Sequence, residues 1–381
     1  MDEYTRHQRT WRMLYALNHR WICRKFNLTH EDLHVDGPVL LIPNHQSAWD
    51  PLLVAMSLPD KQVYYVASEH LFRQGAVSKL ISFLVAPIPR RKASSGTDTV
   101  KACLRHLRAG HSICLFAEGE QCWAGRNTPI FPATGKLAKT SGATLVTFRL
   151  EGAYLSLPRW GTGVRRGRVH GHPVGIYPPD VLKSMSPQEI NELINRDIRE
   201  DVWKRQRLNP VSYRGKDRAV GMEQAVYLCP RCCRIGTLQT RGDHIFCSCG
   251  LDLEYTETGV FRPEQPFATL AEWDDWQREK LRSRSFPHAA NPERPLFSDE
   301  GVTLVRVTAG HSEEELACGE LRQYETRLEC ADYRFPLVKI GNMAAVLTSR
   351  MLFSVEDEYY EIRFQKGANL RKYLEIWEEQ H

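Results

Sequence analysis

At 381 residues the chain has room for two or three domains, each with its own core. Its 42% apolar and 25% charged residues exclude a disordered or fibrous protein. No run of about 18 apolar residues is present, so a spanning helix is not expected. Residues 1–220 hold 32 Lys and Arg against 19 Asp and Glu, and the remainder holds 19 against 27. The first part therefore favours anionic partners such as phosphate groups, acidic lipid or nucleic acid, and the second does not.

The start, Met1-Asp2-Glu3-Tyr4, lacks the basic-then-apolar pattern of a secretory signal, so a cytosol-facing protein is expected. Residues 4–26 read as a helix with Trp11, Leu14, Tyr15, Trp21 and Ile22 near one face and Arg6, Arg9, Arg12, Arg20, Arg24 and Lys25 around it. Such a helix packs on the domain that follows, lies on an anionic membrane surface, or does both with different faces. Val39-Leu40-Leu41-Ile42 is a buried strand bounded by Gly37-Pro38 and Pro43-Asn44. A loop with His45 follows, then Asp50 before Pro51 at a helix start spanning 51–58. Val63–Ala67 is a strand, and Ile88 between two prolines leads into Arg90, Arg91 and Lys92. Residues 97–109 form an amphipathic helix closed by Gly110. Ile113–Phe116 and Thr144–Leu150 are further buried strands, ending in Glu118-Gly119-Glu120 and Glu151-Gly152. Strands alternating with helices argue for an α/β domain with a largely parallel sheet, whose binding groups gather at strand ends.

Three strand ends thus present His45 with Asp50, Arg90, and Glu118 with Gly119. The carboxylate of Asp50 can accept from one imidazole nitrogen of His45, fix its tautomer and leave the other nitrogen basic. A base with its orienting acid, a cation and a tight Gly turn suit acyl transfer to an alcohol on a phosphorylated acceptor. The base takes the hydroxyl proton, the cation holds phosphate, and turn amides help to support the tetrahedral oxyanion.

The pattern resembles the glycerolipid acyltransferase family. Asn44-His45-Gln46-Ser47-Ala48-Trp49-Asp50 matches the family's NHxxxxD block, and Ile88-Pro89-Arg90 sits where it has an Arg-bearing acceptor block. Phe116-Ala117-Glu118-Gly119 resembles the FPEG block, and Leu145–Phe148 with Glu151-Gly152 the fourth. Between them, Phe131–Ala138 resembles a basic Gly turn into a helix. The likeness covers about residues 1–210. It implies a catalytic set of His45, Asp50 and Glu118, with Asn44, Arg90, Gly119 and Lys136 binding substrate. It also implies acyl-CoA or acyl carrier protein as donor and a lysophospholipid, 1-acylglycerol-3-phosphate first, as acceptor. The family usually continues its third block Gly-Thr-Arg-Ser, whereas this chain has Gly119-Glu120-Gln121-Cys122. Glu120 is expected to repel a phosphate, with Arg91, Lys92, Arg126 or Lys136 to compensate.

Beyond this region, Arg159, Arg165, Arg166 and Arg168 precede a strand on which His170 and His172 face one side, either as a solvated hairpin or as a headgroup-facing edge. Residues 187–207 read as one closing helix. Cys229-Pro230-Arg231-Cys232 and, 14 residues later, Cys247-Ser248-Cys249 can converge as a thiolate tetrahedron around a structural zinc, resembling a zinc ribbon, with Cys233 or His244 as substitutes. Cys23, Cys103 and Cys114 read as small core residues and Cys122 as a loop residue. A helix over 267–285 carries Trp273 and Trp276. Strands at 302–307, 351–355 and 359–364 and a helix over 368–378 resemble a pleckstrin-homology-like module.

The expected organisation is an acyltransferase domain over 1–213, a ribbon over 214–262, a helical linker over 263–295 and a β-rich domain over 296–381. The protein is expected to be peripheral on the cytoplasmic face of a membrane. Nucleic acid is not expected, since Arg231, Arg234 and Arg241 are the only cations between Cys229 and Cys249. The alternatives are a non-phosphate lipid acceptor, or a zinc-ribbon binding module carrying a degenerate acyltransferase fold.

Overall fold

The computed structural model describes residues 3–69, 72, 76–90, 96–286, 293–308 and 312–381. Arg91 and Lys92 lie outside the described residues. The chain divides into two compact units. Of the described residues, one takes those up to Gly215 apart from Trp160–Gly163, and the other takes Trp160–Gly163 and those of Lys216–His381.

The first unit begins with α1 (Glu3–Phe26) and β1 (Leu28–His30), followed by β2 (Val39–Pro43), α2 (Asp50–Ala55), β3 (Val63–Ser68), α3 (Ala76–Val85) and β4 (Ile88–Arg90). Then come α4 (Thr97–Arg108), β5 (Ser112–Cys114), α5 (Ala133–Ser141), β6 (Thr144–Glu151), α6 (Ala153–Ser156) and β7 (Val169–Tyr177). The strands form one sheet in the order β1-β7-β6-β2-β5-β3-β4. From β6 to β4 every pairing is parallel, and only the β6–β7 pairing is antiparallel.

The centre of this sheet is β2, and its composition explains why. Val39 and Leu41 join one core with Ile22 and Phe26 of α1 and Leu53 and Val54 of α2. Leu40 and Ile42 point the other way, into a core with Leu107 of α4 and Leu137 of α5. A strand buried on both faces needs an apolar side chain at every position, not at alternate ones. Burying each such side chain contributes about 1.5–3 kcal/mol, which fixes the register of the loop that follows.

The closing segment departs from expectation. It forms α7 (Pro179–Ser184), α8 (Pro187–Ile198) and α9 (Val202–Leu208) instead of one helix over 187–207. Arg199 leaves the helical conformation, and the Asp201 carboxylate accepts from the Trp203 and Lys204 amides to start a new helix. Gly135 allows α5 to approach α8, since a Cβ there would stand 2.0 Å from the Pro187 carbonyl oxygen.

The second unit contains a four-stranded antiparallel sheet of β8 (Leu238–Arg241), β9 (His244–Cys247), β10 (Asp252–Tyr255) and β11 (Phe261–Arg262). After α10 (Leu270–Arg282) comes a seven-stranded antiparallel sheet. Its strands are β12 (Phe297–Val307), β13 (Glu313–Gln323), β14 (Arg327–Cys330), β15 (Tyr333–Pro336), β16 (Ile340–Val346), β17 (Arg350–Val355) and β18 (Glu358–Arg363). The last helix, α11 (Arg371–Glu378), is buried even at Arg371, Lys372 and Glu375. Arg371 makes a two-pronged pair with Asp274 of α10 at 2.6 and 2.9 Å, and Lys372 meets Asp299 at 2.7 Å. Buried charges of this kind are tolerated because each is paired and hydrogen-bonded.

Candidate active site

The parallel strands deliver their ends to one edge of the sheet, and β2 places His45 there. His45 Nδ1 lies 2.9 Å from Asp50 Oδ2. Asp50 is fully buried and also accepts from the Gln46 amide at 2.5 Å, the Ser47 amide at 2.8 Å and the Ser47 hydroxyl at 2.7 Å. An ionised carboxylate only accepts, so the His45 proton sits on Nδ1 and the Nε2 lone pair is left for another group. The His45 ring stacks on Phe116 with centroids 4.3 Å apart, which limits its rotation.

The loop after β5 braces this pair from behind. Glu118 Oε1 accepts from the His45 amide at 2.8 Å and the Asn127 side chain at 2.7 Å, and Oε2 accepts from the Thr128 amide at 2.9 Å. Burial pushes the Glu118 carboxyl up to about 7, opposed by those donors and reinforced by the charge of Asp50. Glu118 therefore touches the His45 backbone and positions it. The His45 carbonyl in turn accepts from the Cys122 amide at 3.0 Å.

The remaining sequence candidates fall in different places. Asn44 is fully buried and stitches β2 to β6: its side-chain amide donates to the Leu150 carbonyl at 2.9 Å and its oxygen accepts the Leu150 amide at 2.7 Å. Gly119 has a φ of +78°, and a Cβ there would stand 2.2 Å from the Phe131 ring, so only glycine fits. Its amide donates to the Phe116 carbonyl at 3.0 Å and so is already engaged in the turn. The Arg90 guanidinium lies 4.1 Å over the Phe131 ring and 3.5 Å from where a Gly119 side chain would begin. Among the described residues Arg90 has no carboxylate partner. Lys136 is exposed on α5, and among the described residues its ammonium makes no hydrogen bond or ion pair with this cluster.

Two features were not foreseen. Glu120 pairs with Arg159 at 2.7 Å, and Arg159 also donates to the Gln121 carbonyl and covers the Trp123 ring at 3.9 Å. The charge expected to repel a phosphate is thus already matched by a cation. Arg159 and Arg165 are correspondingly buried and not headgroup-facing, since their sequence neighbours alone suggested a solvated stretch. Ser47, Asn127 and Thr128 are the second surprise. Only Ser47 left a signal, as a hydroxyl three residues before Asp50.

In the second unit, the thiols of Cys229, Cys232, Cys247 and Cys249 lie within 4.8 Å of one another. Cys229 and Cys249 are 3.6 Å apart and Cys232 and Cys247 3.8 Å. Four thiolates about 2.3 Å from a zinc ion sit about 3.8 Å apart, so the cluster fits tetrahedral coordination. Cys233 is not a member, and His244 pairs with Asp252 at 2.8 Å.

A buried carboxylate thus orients a histidine at the carboxyl end of a parallel sheet, in an α/β domain whose neighbouring strand ends and loops hold Glu118, Gly119 and an Arg90 with no carboxylate partner among the described residues. Residues 23–151 match the family model described as Acyltransferase. That match identifies residues 23–151 as an acyltransferase domain. The chain is 25% identical over 130 residues to the 1-acyl-sn-glycerol-3-phosphate acyltransferase BAT2, chloroplastic, of Brassica napus, covering 34% of this chain and 37% of that one. It is 26% identical over 130 residues to the corresponding LPAT1, chloroplastic, of Arabidopsis thaliana, covering 34% and 36%. The chain thus spans little more than a third of the length of the curated relatives it matches. The crystal structure of the 1-acyl-sn-glycerophosphate (LPA) acyltransferase PlsC from Thermotoga maritima aligns with a TM-score of 0.41 and 16% identity, over 50% of this chain and 78% of that one.

Proposed function

We propose that the chain transfers a fatty acyl group from acyl-CoA or acyl carrier protein to the hydroxyl of a lysophospholipid, with 1-acylglycerol-3-phosphate as the acceptor. The observation that carries this reading is the His45–Asp50 pair, with Nε2 left basic, together with Arg90, which has no carboxylate partner among the described residues. In this mechanism His45 Nε2 takes the acceptor hydroxyl proton as the oxygen attacks the thioester carbonyl. Asp50 stabilises the imidazolium that forms, and the proton then passes to the leaving thiolate. Glu118 and Asn44 hold the loop that carries His45, Gly119 makes room for Phe131 and Arg90, and Arg90 binds the acceptor phosphate. Lys136 is assigned a role outside this cluster, on the approach to the site.

Acylation of a non-phosphate lipid acceptor is favoured by one observation: Arg159 is committed to Glu120 and so is not free to share recognition of an acceptor phosphate with Arg90. The test is turnover across a panel of phosphorylated and uncharged lysolipids with both donor types. A preference for the phosphorylated acceptors that disappears in Arg90→Ala supports the proposal, and equal turnover of uncharged acceptors overturns the acceptor assignment.

Among the described residues no helix is long and apolar enough to cross a membrane. Leu17 and Trp21 are exposed on α1 at 71% and 51%, beside the exposed Arg20 and Arg24. Lys25 lies 4.7 Å from the Trp21 ring and 4.2 Å from the ring of Trp49, the residue before Asp50. This face suits peripheral binding to an anionic membrane on the cytoplasmic side, with the lipid acceptor reaching His45 from the surface. The Cys229, Cys232, Cys247 and Cys249 thiolates hold a structural zinc, which metal analysis of the purified chain and of Cys232→Ser tests directly.

A further inference from the structure

The first unit carries a second group of metal-binding side chains that acyl transfer does not use. His19 and Cys23 stand one turn apart on α1 and share a face. His30 ends β1, the edge strand that follows this helix. His19 Nε2 lies 2.8 Å from His30 Nε2 and 3.6 Å from Cys23 Sγ, and the three donor atoms all fall within 4.8 Å of one another. On the far side of its ring, His30 Nδ1 faces Asp32 Oδ1 at 3.1 Å. Sequence alone suggested a core role for Cys23, because its partners arrive from one turn back and from a different element.

We propose that His19, Cys23 and His30 bind a zinc ion, separate from the four-cysteine cluster, with the fourth coordination position open to water or an exogenous ligand. Two imidazoles and a thiolate form the borderline-soft donor set that zinc prefers. Around a tetrahedral zinc, an imidazole nitrogen and a thiolate sit about 3.5 Å apart and two imidazole nitrogens about 3.3 Å apart. The His19–Cys23 separation therefore fits as it stands, and the two rings need part by only about half an ångström.

Asp32 stands 3.1 Å from the other ring nitrogen of His30, out of line for a hydrogen bond as the ring now sits; turned into line, it would supply the carboxylate that ordinarily orients a ligating histidine. The Tyr15 ring stacks on His19 with centroids 4.9 Å apart and holds that ring in place. Without an ion, the two facing nitrogens share one proton and leave the thiol against a ring nitrogen. One zinc satisfies all three donors. On binding, one Zn–S and two Zn–N bonds form, and the Cys23 thiol proton is released to water with no change of oxidation state. The ion then ties the part of α1 that bears Leu17 and Trp21 to the edge of the sheet.

The test is the zinc content and affinity of the full chain after loading with zinc and dialysis. The wild type is expected to retain about two equivalents, and Cys23→Ser and His30→Gln about one. Cys232→Ser is expected to lose the other equivalent only, so a failure of the four-cysteine assignment is read separately. Asp32→Asn, at a half-exposed position outside any helix or strand, is expected to weaken only the His19–Cys23–His30 site by about 10–100-fold. Loss of one cobalt(II)–thiolate absorption component in Cys23→Ser, with unchanged circular dichroism, supports the site. Equal zinc content in folded wild type, Cys23→Ser and His30→Gln, or an unchanged affinity in Asp32→Asn, overturns it.

Discussion

Replacing Asp50 by Asn separates charge from shape at the proposed catalytic pair. An Asn oxygen in the place of Oδ2 still accepts from His45 Nδ1 and from the Gln46 and Ser47 amides. Its NH2 then faces the Ser47 oxygen, which can accept. What the variant removes is the negative charge beside the imidazolium that forms as the acceptor hydroxyl loses its proton. Unit charges centred about 4 Å apart interact by about 4 kcal/mol at an effective dielectric of about 20. The neutral hydrogen bond that remains restores about 1 kcal/mol. The net loss of about 3 kcal/mol corresponds to a fall in kcat of about two orders of magnitude. KM for the acceptor should stay within about twofold, because the interaction grows only in the transition state. The assay is steady-state acyl transfer at saturating donor, with thermal unfolding as the control for folding. A folded Asp50→Asn that keeps kcat within about threefold of wild type, or that loses KM and not kcat, would refute the reasoning.

Other perturbations separate the remaining roles. Arg90→Ala should lower kcat/KM for a phosphorylated acceptor by about 10–150-fold through lost charge-assisted hydrogen bonds, chiefly through KM, and leave an uncharged acceptor unaffected in the same assay. Glu118 bears on pH: its folded value of about 7 stands above the ordinary 4.5, so the folded state binds this proton more tightly. Its contribution is fully present below about 4.5 and is lost as pH rises through about 7, a change of about 3 kcal/mol. Denaturant titrations should therefore give a flatter stability profile over that window for Glu118→Gln than for wild type. The pair Leu17→Ser and Trp21→Ser should reduce sedimentation with anionic vesicles by about tenfold or more, while turnover of a short-chain, water-soluble acceptor holds.

The central strand and the His45–Asp50 pair were legible because unbroken apolar patterning and turn residues are local signals. The strands at 302–307, 351–355 and 359–364 were legible for the same reason. By contrast β13, Glu313–Gln323, begins with three glutamates and is half-exposed, so its pairing with β12 outweighs a composition that does not announce a strand. Nothing local to the helix over 368–378 announces that Arg371 and Lys372 are buried, because the partners that make this tolerable, Asp274 and Asp299, are far away in sequence. The same limit applied at the site. Glu120 was legible as a charge near a phosphate, but its neutralisation by Arg159 depends on a partner 39 positions further along the chain. The bracing of Glu118 by Asn127 and Thr128, and the convergence of His19, Cys23 and His30, are likewise set by tertiary structure.

The most direct measurement is mass-resolved product formation from acyl-CoA and 1-acylglycerol-3-phosphate by the purified chain, beside a folded His45→Ala control, repeated with acyl carrier protein as donor. The account predicts a diacylated product from the wild type and none above background from His45→Ala. Product formation that survives in His45→Ala, or no transfer by the folded wild type with either donor, would contradict it.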